Sequence, residues 1–336
     1  MRNGCVDIAL PTGFVTDPAY LAHETAHGHP ETPKRLLAIH DYIEKTGIAS
    51  FLQFVSPADG VMSASGISSH CLAEIEGWIT KIHHPDYYQS LRKKVPKEGF
   101  LYLDPDTPIS SLSVKAAEMA VSGVLTAIDA VMAGRLRNAF CAIRPPGHHA
   151  EQNRAMGFCL FNNVAIGARY LQKRYGLARI FIIDWDVHHG NGTQNSFYND
   201  PTVFYFSTHQ YPFYPGTGSY DERGVDDGYG FTINCPLIAG AGDKILLSQF
   251  NSKLPNAVAC FKPDFILISA GFDAHREDPL ASLQVTDEGF AEMTTIVKGL
   301  AETYCNGRIV SCLEGGYDLS ALAKAVGKHL TVLAGK

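Results

Sequence analysis

Two aspartates and a histidine spaced two apart, Asp184, Asp186 and His188, close the apolar run 179–183 and open onto His189-Gly190-Asn191-Gly192. The run is rich in β-branched and aromatic residues and ends at a glycine turn, so it reads as a buried parallel strand. Side chains alternate along a strand, so the three polar residues start on one side of it. They lie at the carboxyl end, where open α/β sheets bind ligands. Two carboxylates and an imidazole there suit a divalent metal such as zinc, which takes oxygen and nitrogen ligands. An acid at a strand end also caps helices, and for a single acid that plainer reading prevails. For the whole Asp-x-Asp-x-His-His-Gly-Asn-Gly string, metal binding is the stronger reading.

The elements that must position these residues follow a regular order beyond about residue 110. Helical 114–133 leads to strand 139–143, helical 162–175 to strand 179–184, and strands follow at 203–207 and 230–235. Helical 243–261 then leads to strand 265–269, and helical 287–304 to strand 308–313. This alternation predicts a parallel sheet with helices on both faces. The first hundred residues are less regular, with helices expected over 32–45 and 71–83. No repeat, low-complexity segment or linker divides the chain, which reads as one domain over 1–336. Polar loops follow the strands: Arg144-Pro145-Pro146-Gly147-His148-His149, then Gly271-Phe272-Asp273 with Asp278-Pro279, then Glu314-Gly315-Gly316-Tyr317. In a parallel sheet they converge on one edge.

A chain of 336 residues with 46% hydrophobic content can bury a large core. Its longest apolar runs are strand-sized, which argues against membrane spans, and the acid-containing start Met1–Asp7 lacks a signal-peptide core. The eight cysteines include no Cys-x-x-Cys, and several sit in apolar runs. That pattern suits reduced, buried thiols in a cytoplasmic protein. A net charge of −6 argues against nucleic-acid binding.

Together these motifs resemble the histone deacetylase and acetylpolyamine amidohydrolase family, in its class II and bacterial branch. The likeness runs from His29-Pro30-Glu31-Thr32-Pro33-Lys34-Arg35 to Glu314-Gly315-Gly316-Tyr317. It implies an arginase-like three-layer α/β sandwich around a central, mostly parallel sheet. Carried onto this sequence, it makes Asp186, His188 and Asp273 the zinc ligands, leaving an open position for chemistry. Asp273 taken alone reads as a turn acid ahead of Asp278-Pro279. Asp184 holds His148 and joins Ser207 and Thr208, polar positions at the end of the next strand, in a monovalent-cation site for potassium. His149, paired with Asn191, is the general base and acid, and His148, paired with Asp184, the charged assistant; a carboxylate favours imidazolium and an amide does not. Tyr317 donates its hydroxyl to the carbonyl oxygen. Phe158 and Tyr214 form the walls of a narrow tunnel, where phenylalanine is usual at both places. Arg35 resembles an arginine lining an acetate exit channel, though its own context also reads as a surface helix residue. Asp104 or Asp106 orients substrate at the rim.

The resemblance implies zinc-dependent removal of acetyl groups from lysine side chains of proteins or peptides. Leu280, directly after Asp278-Pro279, is apolar as in protein-directed members, where polyamine-selective relatives carry glutamate. Acetylated polyamines or other small N-acyl amines are the second substrate class, and iron(II) is a second candidate metal. An arginase-like ureohydrolase with two manganese ions also suits Asp-x-Asp-x-His, but His148-His149 and Tyr317 weigh against it. A non-catalytic scaffold would be signalled by loss of a ligand or of Tyr317, and all are present. Self-association into a homo-oligomer is compatible with each reading.

Overall fold

The computed structural model describes residues 10–57 and 72–336. The N-terminal stretch through Asp7 and the expected helix start at Cys71 lie outside the described residues. In chain order the strands are β1 (Thr12–Val15), β2 (Leu52–Val55), β3 (Leu101–Tyr102), β4 (Pro108–Ile109), β5 (Asn138–Cys141), β6 (Ile180–Asp184), β7 (Val203–Gln210), β8 (Thr232–Leu237), β9 (Phe265–Ala270) and β10 (Ile309–Leu313). Strands β3 and β4 pair as a small antiparallel hairpin. The other eight form one sheet in the order β2-β1-β5-β10-β9-β6-β7-β8. Every neighbouring pair in it is parallel, so the sheet is wholly rather than mostly parallel.

The helices are α1 (Lys34–Lys45), α2 (Leu72–Ile79), α3 (Pro85–Lys94), α4 (Ser113–Met132), α5 (Asn163–Tyr175), α6 (Asn191–Phe197), α7 (Asp243–Phe261), α8 (Asp287–Cys305) and α9 (Leu319–Leu333). Helices α1, α9, α8 and α7 pack side by side as one layer, and α4 packs on α5 with α2 and α6 beside them as the other. The result is a three-layer α/β domain. Both sheet faces are covered, which is why β5, β6, β9 and β10 are buried along their whole length and read as continuous apolar runs. Side-chain caps start the helices sharply: Asn162 accepts from the Ala165 N–H, Thr286 from Gly289, and Asp318 from Ala321.

Register explains where apolar sheet becomes polar site. One row across the sheet reads Ser207, Asp184, Ser269, Cys312, Cys141. The loops that follow β5, β10, β9 and β6 therefore leave four adjacent strands at one edge. Several boundaries differ from expectation: strand β5 ends at Cys141 rather than Ile143, and helix α2 ends at Ile79 rather than His83. Strand β7 continues to Gln210 because β8 pairs with it that far, which places Ser207 and Thr208 inside a strand. Strand β8 starts at Thr232 rather than Gly230, whose φ of +92° is not extended. Helix α9, beyond the last motif, was not anticipated, and its apolar face packs on α1 and α8.

Candidate active site

Asp186, His188 and Asp273 converge: their candidate ligand atoms all lie within 4.8 Å of one another. His188 Nδ1 sits 3.1 Å from Asp186 Oδ1 and 3.2 Å from Asp273 Oδ2. The expected alternation does not bring them together, since β6 ends at Asp184 and the loop after it turns Asp186 and His188 inward. The loop is held by its own Asp186 and by Asp273 from the loop after β9. Asp273 Oδ1 accepts from the Val187 N–H, Asp186 Oδ1 from the His188 N–H, and Asp186 Oδ2 from the Gly315 N–H. Asp273 is thus buried and engaged, not a solvated turn acid.

Burying two carboxylates side by side is costly unless a cation joins them. Burial and the neighbouring Asp186 push Asp273 up to about 7. Asp186 is held below the usual carboxylate range, because His148 and His188 outweigh its burial. Burial alone would lower His188, yet its bonds to both acids raise it to about 10. Its proton stands where a divalent cation would balance the acids. Four ligands at zinc–oxygen and zinc–nitrogen distances of about 2.1 Å stand roughly 3.4 Å apart in a tetrahedron. The two separations at His188 Nδ1 are close to that edge, so these residues fit zinc.

Asp184 stays out of this cluster. Its Oδ2 lies 3.1 Å from His148 Nδ1 and accepts from the Tyr205 hydroxyl, while Oδ1 accepts from the Asp186 N–H. Burial pushes Asp184 up and would pull His148 down, but His148 faces the carboxylates of Asp186 and Asp184 and is raised to about 10. We place the shared proton on His148, which answers two carboxylates. His149 is the opposite case: burial and the charges of His148 and His188 push it well below its ordinary range. Its Nδ1 lies 2.8 Å from Asn191 Oδ1. A histidine donating Nδ1–H to that oxygen keeps its Nε2 lone pair free. The two rings lie 4.0 Å apart, one charged and one neutral.

Tyr317 keeps its proton, because burial raises the phenol well above its ordinary range. The Arg35 guanidinium lies 5.0 Å from the Tyr317 ring centre, and Phe158 packs edge-on at 5.8 Å. Arg35 is fully buried, which rules out the surface reading; it donates to the carbonyls of Gly316 and Glu314 on either side of Gly315. The Tyr214 ring lies 5.1 Å from His149 and 6.0 Å from His188. Phe158 thus packs on Tyr317, and Tyr214 on His149 and His188. Phe158 has a φ of +68°, a strained backbone for an aromatic residue and the kind that persists at functional sites. The preceding Gly157 must be glycine, since a Cβ there would sit 2.4 Å from the His149 ring.

Asp106 is pushed up to about 6 by burial and by Asp104, whose Oδ1 accepts from the Asp106 N–H. Leu280 is half-buried in the loop where Asp278 Oδ1 accepts its N–H and Asp278 Oδ2 accepts that of Tyr317. Ser207 faces Asp184 across β6 and β7, and its hydroxyl pairs with His209. Thr208 Oγ1 is buried without a partner.

Three acids that hold the site were not anticipated. Glu314 accepts from the N–H groups of Gly147 and His148 and from the Ser269 hydroxyl. Glu31 pairs with both Arg35 and Arg144 in full burial. Asp278 ties Leu280 to Tyr317. Glu31 lies four residues before Arg35 in the same motif, but its other partner Arg144 and the partners of Glu314 are far away in the chain, so spacing carries no sign of those contacts.

A family model described as "Histone deacetylase domain" matches residues 29–333. The chain is 40% identical to a "Probable deacetylase" of Archaeoglobus fulgidus over 92% of this chain and 82% of that protein. It is 37% identical to "Histone deacetylase 10, chloroplastic" of Oryza sativa subsp. japonica, over 98% of this chain and 76% of the relative. Among solved structures, "Crystal Structure of HDA15 HD domain" superposes with a TM-score of 0.85 at 34% identity, covering 97% of this chain and 89% of the other.

Proposed function

The chain belongs to the histone deacetylase family, a hydrolase of acetyl amides, and from that premise we propose that it deacetylates lysine side chains of proteins or peptides with a single zinc ion. The observation that carries the reading is the convergence of Asp186, His188 and Asp273 beside a neutral His149 and a protonated Tyr317. Those three side chains would hold the ion, which when bound supplies Lewis-acid polarisation. His149 Nε2 takes the proton of the attacking water and returns it to the departing amine nitrogen, so that amide and water become amine and acetate. The Tyr317 hydroxyl donates to the carbonyl oxygen as negative charge gathers there. His148, an imidazolium between two acids, supports that charge without moving its own proton. Phe158 and Tyr214 grip the aliphatic arm of the substrate between aromatic faces.

Asp184, Ser207 and Thr208 belong to the same proposal as a potassium site, supported by the register that sets Asp184 opposite Ser207, the residue before Thr208. A reducing compartment such as the cytoplasm suits the six described cysteines, all free thiols and five of them buried. No helix among the described residues is long and apolar enough to cross a membrane.

The choice of lysine over polyamine rests on Leu280. A site selective for cationic polyamines places a carboxylate along their path, and Leu280 offers none. Metal analysis of the purified protein, then side-by-side assay on acetyl-lysine peptides and acetylspermidine, tests the proposal. Zinc at one per chain and higher catalytic efficiency on the peptides are expected, with Leu280→Glu shifting the balance toward acetylspermidine. A parent enzyme that prefers acetylspermidine to every peptide tried overturns the substrate assignment.

A further inference from the structure

His149 owes its tautomer to Asn191, and an amide can present either end to an imidazole, oxygen or nitrogen. What decides the end lies one residue further out. Asn191 Nδ2 donates to Glu151 Oε1 at 2.8 Å. A carboxylate only accepts, so it takes the amide's NH2 and leaves Oδ1 facing His149 Nδ1. Weaker acceptors lie on the same side, Met156 Sδ and the His149 carbonyl, each at 3.4 Å. The same Glu151 oxygen also accepts from Asn195 Nδ2 at 3.0 Å, one turn along α6 from Asn191. Glu151 is fixed in turn by its backbone, which bridges to Arg154, and by its carbonyl, which meets His83 Nδ1 at 2.8 Å. A continuous line therefore runs from carboxylate to amide to imidazole, with every donor and acceptor determined.

We propose that Glu151 is a positioning residue for the deacetylation: by orienting Asn191 it keeps the proton on His149 Nδ1 and the lone pair on Nε2. This rests on the reading of His149 as the base. Glu151 reaches His149 only through Asn191, so its role is to keep that base in working form and not to hold substrate. A flipped Asn191 would offer an N–H to Nδ1, draw the proton to Nε2 and leave no lone pair for the water.

The test is steady-state kinetics on an acetyl-lysine peptide for zinc-loaded Glu151→Ala, Glu151→Gln, Asn191→Ala, the Glu151→Ala/Asn191→Ala double variant and His149→Ala. Removing an outer partner of this kind lowers activity on the order of 10- to 100-fold, and that loss is expected in kcat for Glu151→Ala with KM unchanged. Glu151→Gln keeps an acceptor oxygen and most of the turnover, and it also guards against a folding failure in the alanine variant. In the Asn191→Ala background the Glu151 substitution should cost nothing more, because its route to the ring is gone. Parental kcat in Glu151→Ala, equal losses in the alanine and glutamine variants, or additive losses in the double variant each overturn the proposal. Sustained turnover in His149→Ala would instead remove the base assignment beneath it.

Discussion

Two substitutions separate the two halves of the chemistry at the level of single side chains. Asp273→Ala removes one of three converging ligand atoms, so zinc content and turnover should both collapse while circular dichroism remains that of a folded chain. Tyr317→Phe should leave zinc in place and lower kcat on the order of 10²- to 10³-fold, the usual cost of one oxyanion donor. Equal zinc occupancy in Asp273→Ala, or parental turnover in Tyr317→Phe, would show that the role is misassigned. Residue types and short spacings made Asp186, His188, Asp273 and the two histidines legible, since each belongs to a motif a few residues long. The roles of Glu151, Glu314 and Asp278 were not legible, because their work is done on partners that the fold brings to them. A glutamate in a loop carries no mark of the amide it will meet.

The loops work as units because strands and tight turns aim them. Gly315 shows how little room there is: a Cβ at this position would stand 2.0 Å from Asp273 Oδ2 and 2.7 Å from Asp186 Oδ2. Its N–H donates to Asp186, so the backbone of the loop after β10 fills the space a side chain would need. Gly315→Ala should therefore push the two acids apart and lower zinc affinity on the order of 10- to 100-fold, as disturbance of a ligand's support does. Titration of zinc into metal-free parent and variant measures it, and equal affinities would contradict this account. Long periodic elements were readable from sequence nearly to the residue, as with α7, which spans Asp243–Phe261 as expected. The four-residue strands β1 and β2 were not. Strands β1 and β2 gain their identity from pairing with each other, and β1 also with β5, across many intervening residues. The β6 alternation was extended too far for a related reason. The apolar pattern stops at Asp184, and the loop beyond it takes its shape from Asp273 after β9 and Gly315 after β10.

Across the whole molecule, His329 links both helices and sheet behind the site. It sits fully buried on α9, with Nδ1 2.8 Å from the Thr294 hydroxyl on α8 and Nε2 3.0 Å from the Ser311 hydroxyl on β10. Thr294 gives its own proton to the Phe290 carbonyl. It therefore accepts from Nδ1–H, and Nε2 accepts from Ser311. The rings of Phe140, Trp185 and Phe272 lie around the imidazole at 5.5 to 6.0 Å, and among the described residues no ion pair reaches it. Burial holds His329 neutral, down to about 3, whereas in the unfolded chain it titrates near 6.5. The unfolded state thus binds a proton that the folded state refuses throughout that window. The stabilisation is complete above the unfolded value and is lost progressively as pH falls from 6.5 toward 3, at up to about 1.4 kcal/mol per pH unit. His329→Gln keeps one donor and one acceptor but does not titrate. Urea unfolding at pH 7.0 and 5.5 should show the parent losing about 1 kcal/mol more than this variant over the interval. Equal losses would mean that His329 takes up its proton without unfolding the layer it joins.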